Sequence, residues 1–332
     1  MRAAGLLRRR PGWYAAKITY TLLALLATWA LLLVIGNSWW ALLDAAAVAV
    51  VTTQVVFLGH DAGHQQISSH PATNRRLGLV FGNLLTGLCL GWWVPKHTAH
   101  HTHPNQSGLD PDIGPGVVAF TSDVALRRRG VARLLLRLQS PLFFPLLLLE
   151  GVALQVTGGR YLVRRRDRAA LVEAALLVVH LALFVGVVAT VLSPWRAVAF
   201  IAVQQCLFGL YLGSTFAPNH KGMEIMATDA EVPFAERQIR TSRNVRGGRA
   251  ITMAMGGLNF QIEHHIFPTM PRPNLVRARC LVQAFCTEHD LAYTETGLIE
   301  SYRRVLVHLA TVGRDDPTSR QPHPTVVIAS LP

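Results

Sequence analysis

Histidine is the residue type with most to offer chemically. The chain carries 14 of them, and three clusters hold half: His60-Asp61-Ala62-Gly63-His64, His97-Thr98-Ala99-His100-His101 and Gln261-Ile262-Glu263-His264-His265. The first cluster is spaced i,i+4; the second and third set their polar ring or amide residues at i, i+3 and i+4. Those positions share one face of a helix, so each cluster aims its side chains at one point. Neutral imidazole binds Zn, Cu, Fe and Ni, and spacing alone does not choose among them. His220, in Pro218-Asn219-His220-Lys221, adds one more candidate. The ligand set is then His60, His64, His97, His100, His101, His220, His264 and His265. One zinc ion takes three or four protein ligands, so a set this large suits two ions.

Ligating histidines usually donate their second ring N–H to a carboxylate or carbonyl, which fixes the tautomer. Asp61 and Glu263 inside the clusters, and Asp110 and Asp112 after the second, are expected in that role. His103 is expected to support the site rather than ligate. Outside the clusters, His180 reads as a packed or hydrogen-bonded residue, His289, His308 and His323 as solvated, and His70 as a loop residue.

Long apolar helices must position these clusters. Hydrophobic residues make up 51% and charged residues 15% of the 332, with a mean hydropathy of +0.30. A typical soluble domain has roughly 25% charged residues, so part of this chain needs a membrane as its solvent. Disorder is excluded by the apolar content, and four scattered cysteines, none in a CxxC pair, make no disulfide framework. Four apolar runs are expected to span: 18–36, 41–58, 170–192 and 197–217. They form two hairpins closed by Asn37-Ser38-Trp39-Trp40 and Ser193-Pro194-Trp195-Arg196, whose Trp residues suit the headgroup level. The first run is read as an uncleaved span because it is long and a second follows at once.

Arg2, Arg8, Arg9, Arg10 and Lys17 precede the first span, and Arg160, Arg164, Arg165, Arg166 and Arg168 precede the third. By the positive-inside rule both termini and all three histidine clusters face the cytoplasm. The net charge of +13 is then mostly topology and attraction to anionic lipid. No run interleaves basic and aromatic residues, and nucleic acid is not an expected partner. Two shorter runs, Leu77 to Val94 and Pro141 to Val156, are read as interfacial or re-entrant. Were the first to cross, the clusters on either side would face opposite compartments. The expected architecture is an all-α membrane protein: one domain over 1–313, with a cytoplasmic helical cap formed by 59–169 and 218–313. Amphipathic helices are expected at Asn274–Leu291 and Gly297–Val312, with Leu275, Val282, Phe285, Leu298, Val305 and Leu309 on their apolar faces. The proline-containing tail 314–332 is expected to be disordered.

The words HDAGH, HTAHH and QIEHH, with HHTHPNQSGLDPDI, PNHKG, TSRN and LNFQIEHHIFPTMPRPNL around them, resemble the membrane fatty acid desaturases over roughly residues 40 to 290. The resemblance implies two irons held by the eight histidines, dioxygen as co-substrate, and removal of two hydrogens from an acyl chain carried by CoA, acyl carrier protein or lipid. Gln261 stands where many members have His, which resembles the front-end group. It is placed as a supporting donor or weak ligand, with Asn219 beside His220 in a supporting role. No HPGG heme motif is present, so electrons are expected from a separate protein such as a ferredoxin with its reductase. Arg127, Arg128, Arg129, Arg133 and Arg137 are a candidate face for that donor or for anionic lipid. Trp92, Trp93, Phe216 and Phe260 read as packing residues that could also wall an acyl tunnel. The competing readings are a hydroxylase, ketolase or epoxidase on the same scaffold, or a non-enzymatic metal or heme protein. The last would need histidines at membrane depth, where only His180 lies.

Overall fold

The computed structural model describes residues 1–314, so His323 and the tail beyond Arg314 lie outside the described residues. Among the described residues, four helices are long and apolar enough to cross a membrane: α1 (Pro11–Ile35), α2 (Ala41–Gly63), α9 (Arg168–Val191) and α10 (Pro194–His220). Between the pairs run α3 (Pro71–Gly78), which continues as a π-helical turn over Leu79–Leu84, then α4 (Leu90–Thr102), α5 (Ser122–Leu126), α6 (Val131–Leu136), α7 (Phe143–Leu147) and α8 (Glu150–Arg164). After α10 come α11 (Phe234–Thr241), β1 (Asn244–Arg246), α12 (Arg249–Ala254), α13 (Gln261–Ile266), α14 (Arg272–Glu288), β2 (Glu295–Gly297) and α15 (Leu298–Arg314). The two strands pair in parallel, Asn244 against Glu295 through Arg246 against Gly297.

Small residues let the spans approach. Ala41, Ala45 and Ala49 follow one another at helical spacing on α2, and they pack against Ala197, Phe200 and Phe208 of α10. The outward faces are apolar instead of polar: Leu33 and Val34 on α1, and Leu171 and Leu183 on α9, are exposed. That inversion fits lipid and not water. Trp39 and Trp40 in the link between α1 and α2, and Trp195 in the first turn of α10, lie exposed at the opposite end from the histidines. α2 and α10 run on past their apolar stretches, so His60, His64 and His220 ride on or at the end of the spanning helices themselves.

The run Leu77 to Val94 is not one helix. It breaks between the π-helical turn and α4, and polar groups satisfy the broken backbone, as buried irregular segments require. Asn83 accepts from the Leu90 N–H at 3.2 Å and donates to Glu173 Oε2 at 3.2 Å. The Gly91 N–H reaches the same carboxylate oxygen at 2.8 Å. His180 meets the Leu84 carbonyl at 3.0 Å, which is the hydrogen-bonded role expected of it. The chain thereby turns back, and the clusters before and after this segment end on the same side. Pro141 to Val156 is likewise divided, between α7 and α8.

In the cap, Leu275, Val282, Val305 and Leu309 are buried as expected of their helices, while Phe285 stays 38% exposed beside the exposed His289. His308 corrects the solvated reading: it is partly buried, and its Nε2 bonds the Phe120 carbonyl at 2.8 Å, tying α15 to the loop before α5. His70 is exposed in the loop that caps α3.

Where α8 crosses α10, a Cβ on Gly209 would lie 2.7 Å from both the Gly151 nitrogen and the Leu147 carbonyl oxygen. Backbone cannot yield there as a flexible side chain could. Gly209→Val should lower the melting temperature of the detergent-solubilised protein, by an overpacking cost of about 1–3 kcal/mol. Gly186→Ala, where nothing stands within 4 Å, should leave it unchanged or raise it slightly. Fluorescence-detected size exclusion after heating compares the two.

Candidate metal centre

Four helices supply the imidazoles. The last turn of α2 carries His60 and its C-cap is His64, α4 carries His97, His100 and His101, α10 ends on His220, and α13 carries His264 and His265. Two groups form. The ligand atoms of His60, His64, His97 and His264 all lie within 4.8 Å of one another, and so do those of His100, His220 and His265. His101 stands between the groups. Its ring stacks on His265 with centroids 4.0 Å apart, and its Nε2 is 3.1 Å from His97 Nε2. Trp93 stacks on His97 at 4.4 Å and walls the first group.

The tautomers are set from outside. In the second group every Nδ1 faces an acceptor. His100 Nδ1 lies 3.0 Å from both carboxylate oxygens of Asp110, His220 Nδ1 is 3.0 Å from the Thr241 carbonyl, and His265 Nδ1 is 2.9 Å from Gln238 Oε1. Each Nδ1 must therefore carry the proton, and each Nε2 of a neutral ring then presents a lone pair. Yet these Nε2 atoms face each other, His220 to His100 at 3.3 Å and His220 to His265 at 3.1 Å. Apposed lone pairs repel unless a cation lies among them. In the first group the Nε2 atoms of His60, His64 and His264 are buried without a hydrogen-bond partner, an arrangement native interiors avoid unless an ion uses it. Burial, and after it the charges of neighbouring imidazoles, hold His64, His97, His101, His264 and His265 well below the usual histidine range. They stay neutral near pH 7, as metal ligands must. Both groups thus fit a transition metal ion by donor type and geometry.

Of the expected carboxylates, Asp110 bonds a cluster histidine directly. Besides His100 it accepts the N–H groups of Asn105 and Asp112, each at 2.8 Å. Burial would raise its pKa, but the His100 bond and charge and the Lys221 charge outweigh that and hold it low. Asp112 lies 3.5 Å from His100 and pairs with Lys96. Asp61 stands 3.7 Å from His60 Nδ1, but its close partner is Arg272, at 2.6 Å. Glu263 turns to Asn244 and Tyr293, at 2.7 and 2.8 Å, and burial raises its pKa. It braces α13 against β1 and not a ring. His103 bonds Gln106 and Arg237 at 2.9 and 3.1 Å and joins neither group.

Asn219 fixes Gln261. The Asn219 amide nitrogen is 3.2 Å from the carbonyls of both Thr215 and Leu258, so its donor side must lie there. It also reaches Gln261 Oε1 at 3.3 Å, which leaves the Gln261 nitrogen facing His220 Nε2 at 2.8 Å. In this orientation Gln261 offers the second group a donor. Gln238 escaped the sequence reading. From α11 it bonds both His265 Nδ1 and the His101 carbonyl, the latter at 3.0 Å. Lying 27 residues from His265, it carries no local spacing signal.

A membrane protein with a buried histidine-rich metal site is the class these features define. The chain belongs to the fatty acid desaturase family: that family's model matches residues 37–297. It is 32% identical to the acyl-lipid (9-3)-desaturase of Physcomitrium patens over 82% of this chain and 53% of the relative. It is 30% identical to the Delta(6)-fatty-acid desaturase fat-3 of Caenorhabditis elegans over 81% of this chain and 64% of the relative. To the Delta(5) fatty acid desaturase fat-4 of the same organism it is 30% identical, over 88% and 67%. The chain therefore spans between about half and two thirds of the length of these relatives.

Asp110→Asn would keep the size of the side chain but remove the charge that holds the His100 tautomer. Metal affinity of the second group should fall roughly 10–100-fold, read by metal content after dialysis against a graded chelator, with the first group's ion retained.

Proposed function

We propose that this protein is a membrane fatty acyl desaturase of the front-end type. The overall reaction takes one –CH2–CH2– pair of an acyl chain, O2, two electrons and two protons to a cis –CH=CH– and two waters. The convergence of eight imidazoles, six of them buried, into adjacent groups of four and three with His101 between, in a chain of this family, carries the reading. His60, His64, His97 and His264 would hold one iron, His100, His220 and His265 the other, with His101 between them. Two irons so placed would supply the activation of dioxygen.

The chain's own residues do the rest. Asp110, Gln238 and the Thr241 carbonyl aim the second group's rings. Trp93 and Phe216, the latter 6.4 Å from His60, give the first group an apolar wall that keeps water away from a strong oxidant. The named specificities of the relatives, together with Gln261 in place of a third-cluster histidine, support the front-end type. The positive-inside pattern supports a cytoplasmic site and cytoplasmic termini. Electrons come in this reading from a separate donor such as a ferredoxin with its reductase, steered by the arginines of 127–137.

Expression in a host lacking the enzyme, followed by fatty acid profiling, is the test. New unsaturated chains without a new hydroxyl or keto group are expected; an oxygenated product would assign the site to a hydroxylase or ketolase. The purified protein should carry about two irons per chain and no heme Soret band. His100→Ala and His264→Ala should abolish turnover with membrane insertion intact, and retained turnover in either contradicts the assignment. Gln261→His should keep part of the activity.

A further inference from the structure

We infer that the cavity behind α4 is the vestibule by which dioxygen reaches the metal centre, and that the Trp93 indole is the gate at its inner end. Why dioxygen must arrive rests on the desaturase reading; the passage itself is tested without turnover.

The cavity measures about 430 Å³ and lies between the end of α2, the start of α3, the first turns of α4, the end of α8 and the start of α9. One water takes roughly 30 Å³ in the liquid, so this volume does not hold back a diatomic gas. The outer side is open: Ala72, Arg75 and Arg165 line it and are exposed. α9 begins its span at this level, so the mouth stands beside the hydrocarbon, in which dioxygen dissolves better than in water.

The inner side is apolar, lined by Ala62, Gly63, Leu90, Gly91, Val94 and Pro95. The ionic groups of the wall are engaged elsewhere. Arg165 pairs with Asp167, and Glu173 Oε2 accepts from Asn83, Cys89 and Gly91 at the turn before α4. With two arginines and one carboxylate in its wall, the cavity sets no field of one sign for an ion. Its apolar depth suits a small uncharged guest, as apolar cavities that take up xenon do.

Gly63 lines the cavity, and Trp93 lies directly behind it. A Cβ on Gly63 would stand 2.6 Å from the ring, so the indole rests on the glycine backbone with no side chain between. The indole also stacks on His97, with centroids 4.4 Å apart, and lies 5.5 Å from His60 and 6.2 Å from His64. One ring therefore stands between the cavity and three of the four imidazoles of the first group. Motion of that single side chain joins the two spaces, and no helix need shift. An apolar gate also favours dioxygen over water, which must give up hydrogen bonds to cross it. An acyl chain lying at the metal centre fills its own passage, so the gas needs a second one in the same turnover.

Trp93 is its own reporter, because dioxygen quenches indole fluorescence on collision. The full chain is loaded with zinc, which has no redox chemistry, and held in nanodiscs. It carries seven tryptophans, so the Trp93 signal is the wild type minus Trp93→Phe. Dioxygen should quench that signal several-fold more strongly than acrylamide, which is polar and larger. Ala72→Phe and Ala169→Phe, which fill the cavity from residues that are not buried, should each cut the dioxygen quenching several-fold. Absence of quenching by dioxygen, equal quenching by acrylamide, or quenching unchanged in both folded phenylalanine variants overturns the inference. Should neither variant fold, the wild-type ratio of the two quenchers decides it. In the iron-loaded protein the same variants should raise the KM for dioxygen several-fold. The expected quenching in a protein that makes no unsaturated product would keep the gas passage and sink the desaturase reading. Desaturation with a KM for dioxygen and a quenching untouched by the filled cavity would do the reverse.

Discussion

The arrangement that everything else serves is a set of neutral imidazoles whose lone pairs point at one another. Such a cluster is unfavourable by itself. The second group's rings are buried and their Nδ1 protons are committed to outside acceptors, so these rings cannot satisfy each other. A bound cation turns that frustration into a site, because the same lone pairs become its ligands. Burial keeps the rings unprotonated, and rigid helices keep them aimed.

The membrane helices are part of this arrangement and not merely its anchor. α2 and α10 continue beyond their apolar runs, so the close packing of Ala45 and Ala49 against Phe200 and Phe208 also fixes the separation of His60 from His220. The turn before α4 must then deliver the second cluster to the same end. A single carboxylate oxygen of Glu173 gathers Asn83, Cys89 and Gly91 there and gives the bend its partners. Two further buried charges hold the cap. Arg272 pairs with Asp61 and also donates to the Phe57 carbonyl at 2.6 Å, joining α14 to α2. Arg243, fully buried, donates to the carbonyls of Pro218 and Lys221, which closes the chain around His220. The Arg272–Asp61 pair contributes less to net stability than to register, since removing either partner strands a buried charge.

Local sequence made the candidate metal-binding histidines and the apolar helices legible. Helix-face spacing is short-range information, and so are apolar length and the placement of arginines. That Leu77 to Val94 does not form one spanning helix was also legible, through the interruptions in the run and the need to keep the clusters on one side. The roles of the carboxylates were only partly legible. Asp110 reaches His100 across a tight turn that adjacency suggests, whereas Glu263, though next to His264, points the other way. Neighbours in a helix point to different faces, so adjacency in sequence is a poor guide to which ring a carboxylate meets.

The sequence by itself determined which residues offer metal-ligating side chains and which segments are long and apolar enough for lipid, because each of those properties belongs to a residue type or to a period within one helix. Only the tertiary structure decided how the eight rings divide, that Gln238 and Thr241 orient them, that Gln261 presents its amide nitrogen to His220, and that Arg75 and Glu173 line one cavity. Those facts depend on contacts between elements tens to more than a hundred residues apart, where burial, not spacing, determines each side chain's partner.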